Sequence, residues 1–284
     1  MAESLEKFKS YIGKSETAFD VVTGATMLKF AATLGLEKTP LDKGEIVPPG
    51  WHGGFFPPSH RPTQMREDGQ ASGGGFMPAI PLPRRRIGGT RMTFHEPLRV
   101  GDEIKKLTEI ADLQVDDGAN GAMVTIVERS SISSSRGLGV VEERDMMMLS
   151  EARADAAPKA SPAMPGESKW KKVFEPKPTL LFRFSALRFN SHRIHYDRDY
   201  VTQVEKLPGL VVQTSLICQL MIELCRSEMP NRTLSAFGFQ TARQTYDTGN
   251  FTIAGAPSAD GREATLWSLD ANGNVTMTAT AKFA

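Results

Sequence analysis

The run Phe189-Asn190-Ser191-His192-Arg193-Ile194-His195-Tyr196-Asp197 holds two of the chain's five histidines three residues apart. An imidazole with an unperturbed pKa of about 6.5 takes up and releases protons near neutrality, so either ring could act as a general acid or base. A metal reading takes His192, His195 and Asp197 as ligands. No second cluster of His, Cys or Asp with ligand spacing accompanies them, and an extended backbone would turn the two rings to opposite faces. No metal is expected. On the bare residues the plainest reading is a pair of hydrogen-bonded histidines that fix a connection; acid–base chemistry is the sharper alternative.

The surrounding pattern must position this cluster. A strand is expected at residues 180–184 before it and a short helix from about Asp199 after it. Residues 211–229 form the strongest helical pattern of the chain: Leu216, Ile217, Leu220, Met221, Ile222 and Leu224 cover most of its circumference. Ser215, Gln219, Glu223 and Arg226 leave a polar stripe, so this helix wants burial on several sides. Four strand-like stretches follow, at 235–244, 250–256, 263–270 and 276–283, with Asp260-Gly261 and Asn272-Gly273 as hairpin turns. The pattern is that of a sheet wrapped around one helix.

The amino-terminal half reads similarly but lacks that helix. Short helices are expected from Ser4, closed by Gly13, and from Thr23, closed by Gly35. Gly and Pro then crowd residues 44–89, with Trp51, Phe55, Phe56 and Phe76 interleaved, which predicts a packed loop. Strands at 91–95, 104–112, 122–131 and 140–149 make a meander. Residues 151–169, rich in Ala, Pro and charge, read as a linker between a module at 1–150 and one at 170–284. Leu98-Arg99-Val100-Gly101-Asp102 opens the first meander much as Tyr246-Asp247-Thr248-Gly249-Asn250 opens the second. Duplication would explain this, and so would shared turn chemistry.

At 284 residues, with 40% hydrophobic and 24% charged residues, the chain can build two cores. A formal charge of +1 supplies no broad basic field, so no nucleic acid is expected as partner. No apolar run suits a bilayer and no leader pattern opens the sequence, which makes a cytoplasmic protein that neither spans nor binds a membrane the expectation. Cys218 and Cys225 sit seven apart in a helical pattern, about 10.5 Å along the axis, beyond disulfide reach.

Asn190-x4-His195, Asp197, Tyr200 and Pro208-Gly209-Leu210-Val211-Val212-Gln213, followed by a buried helix, resemble the MaoC-like R-specific enoyl-CoA hydratase family. Within it the stretch looks most like the branch of mesaconyl-C4-CoA and itaconyl-CoA hydratases, which is similar to 3-hydroxyacyl-thioester dehydratases. Pro48-Pro49-Gly50-Trp51-His52, Asp68-Gly69, Pro81-Leu82-Pro83-Arg84-Arg85 and Pro97-Leu98-Arg99-Val100-Gly101-Asp102 extend the likeness over nearly the whole chain. The resemblance implies an α+β double hot-dog: two antiparallel sheets each wrapping a helix, the central helix poorly formed or lost in the first module. It implies a homodimer, an acyl-CoA substrate and no cofactor, the coenzyme A being part of the substrate.

The resemblance also implies roles. The family's Asp-x4-His pair falls on Asn190 and His195. An amide cannot take a proton from water, so His195 acts nearly alone while Asn190 holds the water. Gln213-Thr214 stands where the wider family has His-Gly, so the oxyanion contact falls to a backbone N–H, with Thr214 as donor and Gly209 close by. A helix amino end favours such an anion. Arg84 and Arg85 are expected on coenzyme A phosphates or a substrate carboxylate, with His192 and Arg193 in support; Trp51, His52 and Phe55 would wall the acyl pocket. A fatty-acid 3-hydroxyacyl dehydratase and an idle acyl-CoA-binding module are the alternatives. A thioesterase would need a carboxylate on the central helix, where Glu223 is the one available.

Overall fold

Strands with alternating burial carry most of the chain in the computed structural model, which describes residues 2–73, 75–118, 121–151 and 161–284. The first half runs through a short helix α1 (Ala2–Glu6), β1 (Ser15–Val21), α2 (Gly24–Leu34), β2 (Arg84–Phe94), β3 (Glu103–Gly118), β4 (Gly121–Ser134) and β5 (Gly137–Leu149). The second runs through β6 (Trp170–Phe174), α3 (Pro178–Leu187), α4 (Arg198–Gln203), α5 (Thr214–Glu228), β7 (Leu234–Thr241), β8 (Phe251–Pro257), β9 (Glu263–Leu269) and β10 (Val275–Phe283).

The strand order is β1-β3-β4-β5-β2-β7-β10-β9-β8-β6. Each half therefore repeats one antiparallel order, first strand at the outer edge and second strand at the centre, which makes the internal duplication topological. The double hot-dog holds, with one refinement. Its two sheets join edge to edge where β2 pairs antiparallel with β7 through residues such as Thr90 and Phe239, and the largest apolar cluster runs through both halves.

Helix α5 packs against β6, β7, β8 and β9. Among the described residues, no helix stands between residues 65 and 83 of the first half, so its central helix is lost as expected. Helix α2 starts at Thr23, whose hydroxyl accepts the Thr26 N–H at 3.3 Å, and stops at Gly35 in the left-handed region.

Three expectations need correction. Residues 180–184 are helical, because Pro178 fits the first turn of α3 and Leu181, Phe184 and Ser185 are buried at helical spacing. The outer strands β1 and β6 carry an unclear alternation and were missed, being short edges paired on one side. Strand β2 begins at Arg84 rather than residue 91, so the arginine triplet lies in the sheet. Of the expected linker, residues 152–160 lie outside the described residues; residues 161–169 run beside the second half, where Ser161 Oγ donates to Val275 O and Lys169 N–H to Gly255 O. No helix among the described residues is long and apolar enough to cross a membrane.

Candidate active site

His195 closes a 3-10 turn at Arg193–His195 that is fastened on both sides. Asp197 caps α4 by accepting the Tyr200 N–H at 3.0 Å, and its other oxygen accepts from Arg193 Nε at 3.0 Å. The Arg193 guanidinium lies 3.9 Å over the Tyr200 ring and donates to Glu67 O. Val211 N–H donates to Ile194 O, bringing the segment before α5 against this turn.

The imidazole of His195 is 8% exposed. Its Nδ1 lies 2.7 Å from Val211 O. A carbonyl oxygen only accepts, so Nδ1 carries the proton and Nε2 carries the lone pair. Nε2 has no partner among the described residues and is not sealed from solvent. Burial pushes the His195 pKa down to about 4, against the opposing pull of the Val211 carbonyl. The ring is therefore neutral at pH 7 and in the form that accepts a proton.

Asn190 follows Phe189, which sits in the left-handed region at φ 50. Its N–H donates to Ser185 O at 2.8 Å, and its Oδ1 accepts the His192 N–H at 3.1 Å. The carboxamide oxygen thus ties the turn, and the amide NH2 is what it offers a water. His192 stands edge-on to His195 with ring centroids 5.4 Å apart, and Gln70 Nε2 lies 2.9 Å from its Nε2. Burial first, then the His195 charge, lowers the His192 pKa to about 4.

The Pro- and Gly-rich loop of the first half docks here. Arg193 N–H donates to Asp68 O at 2.9 Å and Ser191 Oγ to Gly69 O at 2.7 Å. A Cβ on Gly69 would meet Ser191 O at 1.9 Å, and its φ is +81, so no other residue allows this approach. Gln70, Asp68 and Gly69 are site-building residues; Asp68-Gly69, a turn signal inside an aromatic-bearing loop, was their trace in the sequence.

The amino end of α5 begins at Thr214, whose N–H, like that of Ser215, has no intrahelical acceptor. Thr214 is half-buried and can offer its N–H to an anion. Gln213 does something else. Its Nε2 donates to Leu181 O and Ser185 Oγ, both at 2.8 Å, so it bolts α3 to α5, while its buried Oε1 has no partner among the described residues. Gly209 packs against Asp247, whose carboxylate accepts the Leu210 N–H; a Cβ there would meet Asp247 Oδ1 at 2.6 Å. It sets the loop against Asp247.

Alternation on β2 separates the arginines. Arg84 is exposed, and its charge acts on Arg86. Arg85 turns inward, donating to Ala71 O at 2.9 Å, and its buried Nε has no acceptor among the described residues. Burial first, then the neighbouring Arg66 charge, lowers its pKa. Arg193 is occupied by Asp197 and Tyr200. Trp51 and Phe55 are core, Trp51 stacking on Phe30 at 5.1 Å, whereas His52 Nε2 pairs with Glu142 at 2.9 Å. Glu223 is fully engaged by Trp51, Gln219 and Arg226. Two surface hollows, of about 210 Å³ beside β8 and β9 and about 570 Å³ beside β1 and β3, hold none of these side chains.

A base with a free Nε2 beside a helix amino end suits proton transfer at an acyl group, and comparison with known proteins agrees. A family model described as hydroxyacyl-thioester dehydratase type 2 matches residues 50–247, more than half of the chain. The chain belongs to this family. It is 34% identical over 251 residues to the mesaconyl-C(4)-CoA hydratase of Chloroflexus aurantiacus, covering 88% of this chain and 89% of that protein. It is 27% identical over 224 residues to the mitochondrial hydroxyacyl-thioester dehydratase type 2 of Schizosaccharomyces pombe, covering 68% and 72%. A MaoC-like dehydratase from Phytophthora capsici superposes with a TM-score of 0.70 over 97% of both chains at 8% identity, a likeness of fold alone. As a member of the hydroxyacyl-thioester dehydratase type 2 family, the protein is a hydro-lyase.

Proposed function

We propose that the protein reversibly hydrates a short dicarboxylic enoyl-CoA, with mesaconyl-C4-CoA as substrate, itaconyl-CoA as a related one and citramalyl-CoA as product. The observation that carries this reading is the His195 ring, neutral, oriented by Val211 O and left with a free Nε2 near the amino end of α5. Nε2 takes one proton from water as the oxygen bonds to the β-carbon. The π electrons move onto the thioester oxygen, where the Thr214 N–H receives the charge, and the same imidazole returns the proton to the α-carbon. The reaction is redox-neutral, so it calls for no cofactor beyond the coenzyme A of the substrate.

Asn190 supplies no second base, and its NH2 steadies the water. Arg85, with an unpaired inward Nε, takes an anionic group of the substrate. The engagement of Glu223 ties up the carboxylate of α5 that a thioesterase reading would use. The 34% identity to a mesaconyl-C(4)-CoA hydratase supports the dicarboxylic acyl group. The identity to a hydroxyacyl-thioester dehydratase favours, as a second reading, dehydration of longer 3-hydroxyacyl chains.

The test follows loss of the enoyl-thioester absorbance with mesaconyl-C4-CoA, against a long-chain 3-hydroxyacyl-CoA assayed in the dehydrating direction. Turnover of the short substrate, reduced about 10³-fold by His195→Ala with the circular dichroism spectrum unchanged, is expected. Near-normal turnover by the variant would end the mechanism; turnover of the long chain alone would move the substrate to the second reading.

A further inference from the structure

The concave face of the first half is divided. Register places Glu142 opposite Ser130 and Met92, Arg144 opposite Glu128 and Thr90, and Ser130 opposite Thr108. With Lys106 two residues from Thr108, these side chains share one face. They form a polar band between Met92, Ile132 and Val140 on one side and Ile110, Ile126 and Met148 on the other, which belong to two separate apolar clusters. The band occupies the part of the sheet that a central helix would cover.

Its carboxylates are already matched. Glu142 pairs with His52 and Arg144, and Glu128 lies 3.8 Å from Arg144. Arg188, at the end of α3, faces the band and is matched by none. Its guanidinium stands in electrostatic range of Glu142, Arg144 and Cys218, yet makes no hydrogen bond or ion pair among the described residues. Its one face lies 5.9 Å from the Phe184 ring. Gly53 makes the room: a Cβ there would fall 2.1 Å from Arg188 Nη1.

We propose that Arg188, backed by Arg144, receives the free carboxylate of the acyl group and so selects a dicarboxylic thioester. The proposal rests on the hydratase reading above and deepens it. Arg188 lies two residues before Asn190, and Cys218 lies one turn along α5 from Thr214. One turn is about 5.4 Å. That is comparable to the reach of a four-carbon diacid from one carbonyl to the other at about 1.5 Å per bond. On this proposal a thioester oxygen at the Thr214 N–H directs its carboxylate along α5 toward the Cys218 level, the side chain in electrostatic range of Arg188. A planar guanidinium binds a carboxylate through two parallel hydrogen bonds, and a cation partly withdrawn from water gains most from such a partner. Burial and the Arg144 charge lower the Arg188 pKa, the condition that a bound anion reverses.

The test compares kcat/KM for mesaconyl-C4-CoA and for crotonyl-CoA, which is unsaturated at the same bond and carries no carboxylate. Arg188→Met should lower kcat/KM for the diacid about 100-fold and leave crotonyl-CoA within about threefold. Arg188→Lys, which keeps the charge without the planar fork, should recover about tenfold of the loss. Equal losses on both substrates, or unchanged selectivity, would overturn the proposal. Gly53→Ala is the second variant. Its methyl takes the place of Nη1 and displaces the head while keeping the charge, so the same collapse of selectivity is expected, and unchanged selectivity refutes the assignment even if Arg188→Met does not fold. Wild-type protein that turns over neither enoyl thioester would instead remove the hydratase reading itself.

Discussion

The two halves of the sheet repeat one strand order and differ in what covers the concave face. In the second half Phe237, Phe239, Leu266, Met277 and Ala279 face Leu216, Leu220 and Met221 of α5 within one apolar cluster. In the first half the corresponding space carries Thr108, Glu128, Ser130, Glu142 and Arg144, and among the described residues no central helix like α5 crosses it. The first half compensates with length. Strands β3, β4 and β5 run to 16, 14 and 13 residues, and their outer face bears an ion-pair ladder joining Arg91, Glu143, Arg129 and Glu109. A repeated strand order with one central helix missing thus leaves one half to hold the fold and the acid–base turn, and the other to line the space beside it.

If α5 is what stabilises the second half, shortening a buried side chain on it should produce the largest stability change. Met221 is fully buried, and Met221→Ala should cost about 2–5 kcal/mol by leaving a cavity. The first half should respond differently. Thr108 Oγ1 and Ser130 Oγ pair across the strands at 3.1 Å. Replacing both together, Thr108→Val with Ser130→Ala, removes a donor and an acceptor at once and should change stability by less than about 1 kcal/mol. Urea unfolding reads both variants. Equal losses would mean that the polar band is as tightly packed as α5 and erase the contrast.

What the sequence revealed follows the same division. Periodicity reported α5 because its apolar residues are close in the chain, and the hairpins because their turns carry Asp-Gly and Asn-Gly. His195 was visible as a titratable residue in a polar connection, and the inward placement of Arg85 followed once β2 was known to include it. The docking of Gln70 on His192, the occupation of Glu223 by Trp51 and the pairing of His52 with Glu142 are contacts between residues 90 or more positions apart. No local pattern encodes these. Arg188 left only a faint trace, a charge within the apolar run Leu187-Arg188-Phe189. Gln213 and Gly209, marked as substrate contacts by their place in a motif, turned out to hold α3 and the Asp247 loop.

The halves should also separate on acidification. His192 and His195 are held neutral, with pKa values of about 4 against 6.5 for the free side chain. Between those values the unfolded chain binds the extra protons, so stability is full above pH 6.5, falls as pH drops through the window, and levels off below about 4. His195 alone accounts for about 3 kcal/mol. Glu142 behaves in another range: although burial pushes it up, Arg144 and His52 hold it well below the usual carboxylate value, so its contribution is lost only in stronger acid. Wild-type protein should therefore lose more stability than His195→Phe between pH 7 and pH 4.5 in guanidinium titrations. Parallel losses would show that the imidazole is not held neutral, and would take the resting base of the mechanism with it.

A more local effect concerns the joint between the halves. Trp51 Nε1 donates to Glu223 Oε1 at 2.8 Å and Gln219 Nε2 to Pro49 O at 3.2 Å, so the first half's loop satisfies the polar stripe of the second half's helix. Trp51→Phe keeps an aromatic ring against Phe30 and removes one hydrogen bond to a carboxylate, which should cost about 1.5–3 kcal/mol. Glu223→Gln keeps an acceptor oxygen and should cost less, with hydratase turnover retained because Glu223 bonds only within the scaffold. A double-mutant cycle then reads the coupling directly, expected near 1 kcal/mol. A coupling of zero would mean that the Trp51–Glu223 hydrogen bond adds nothing to the joint; loss of turnover in Glu223→Gln would return that carboxylate to the chemistry and favour acyl hydrolysis over hydration.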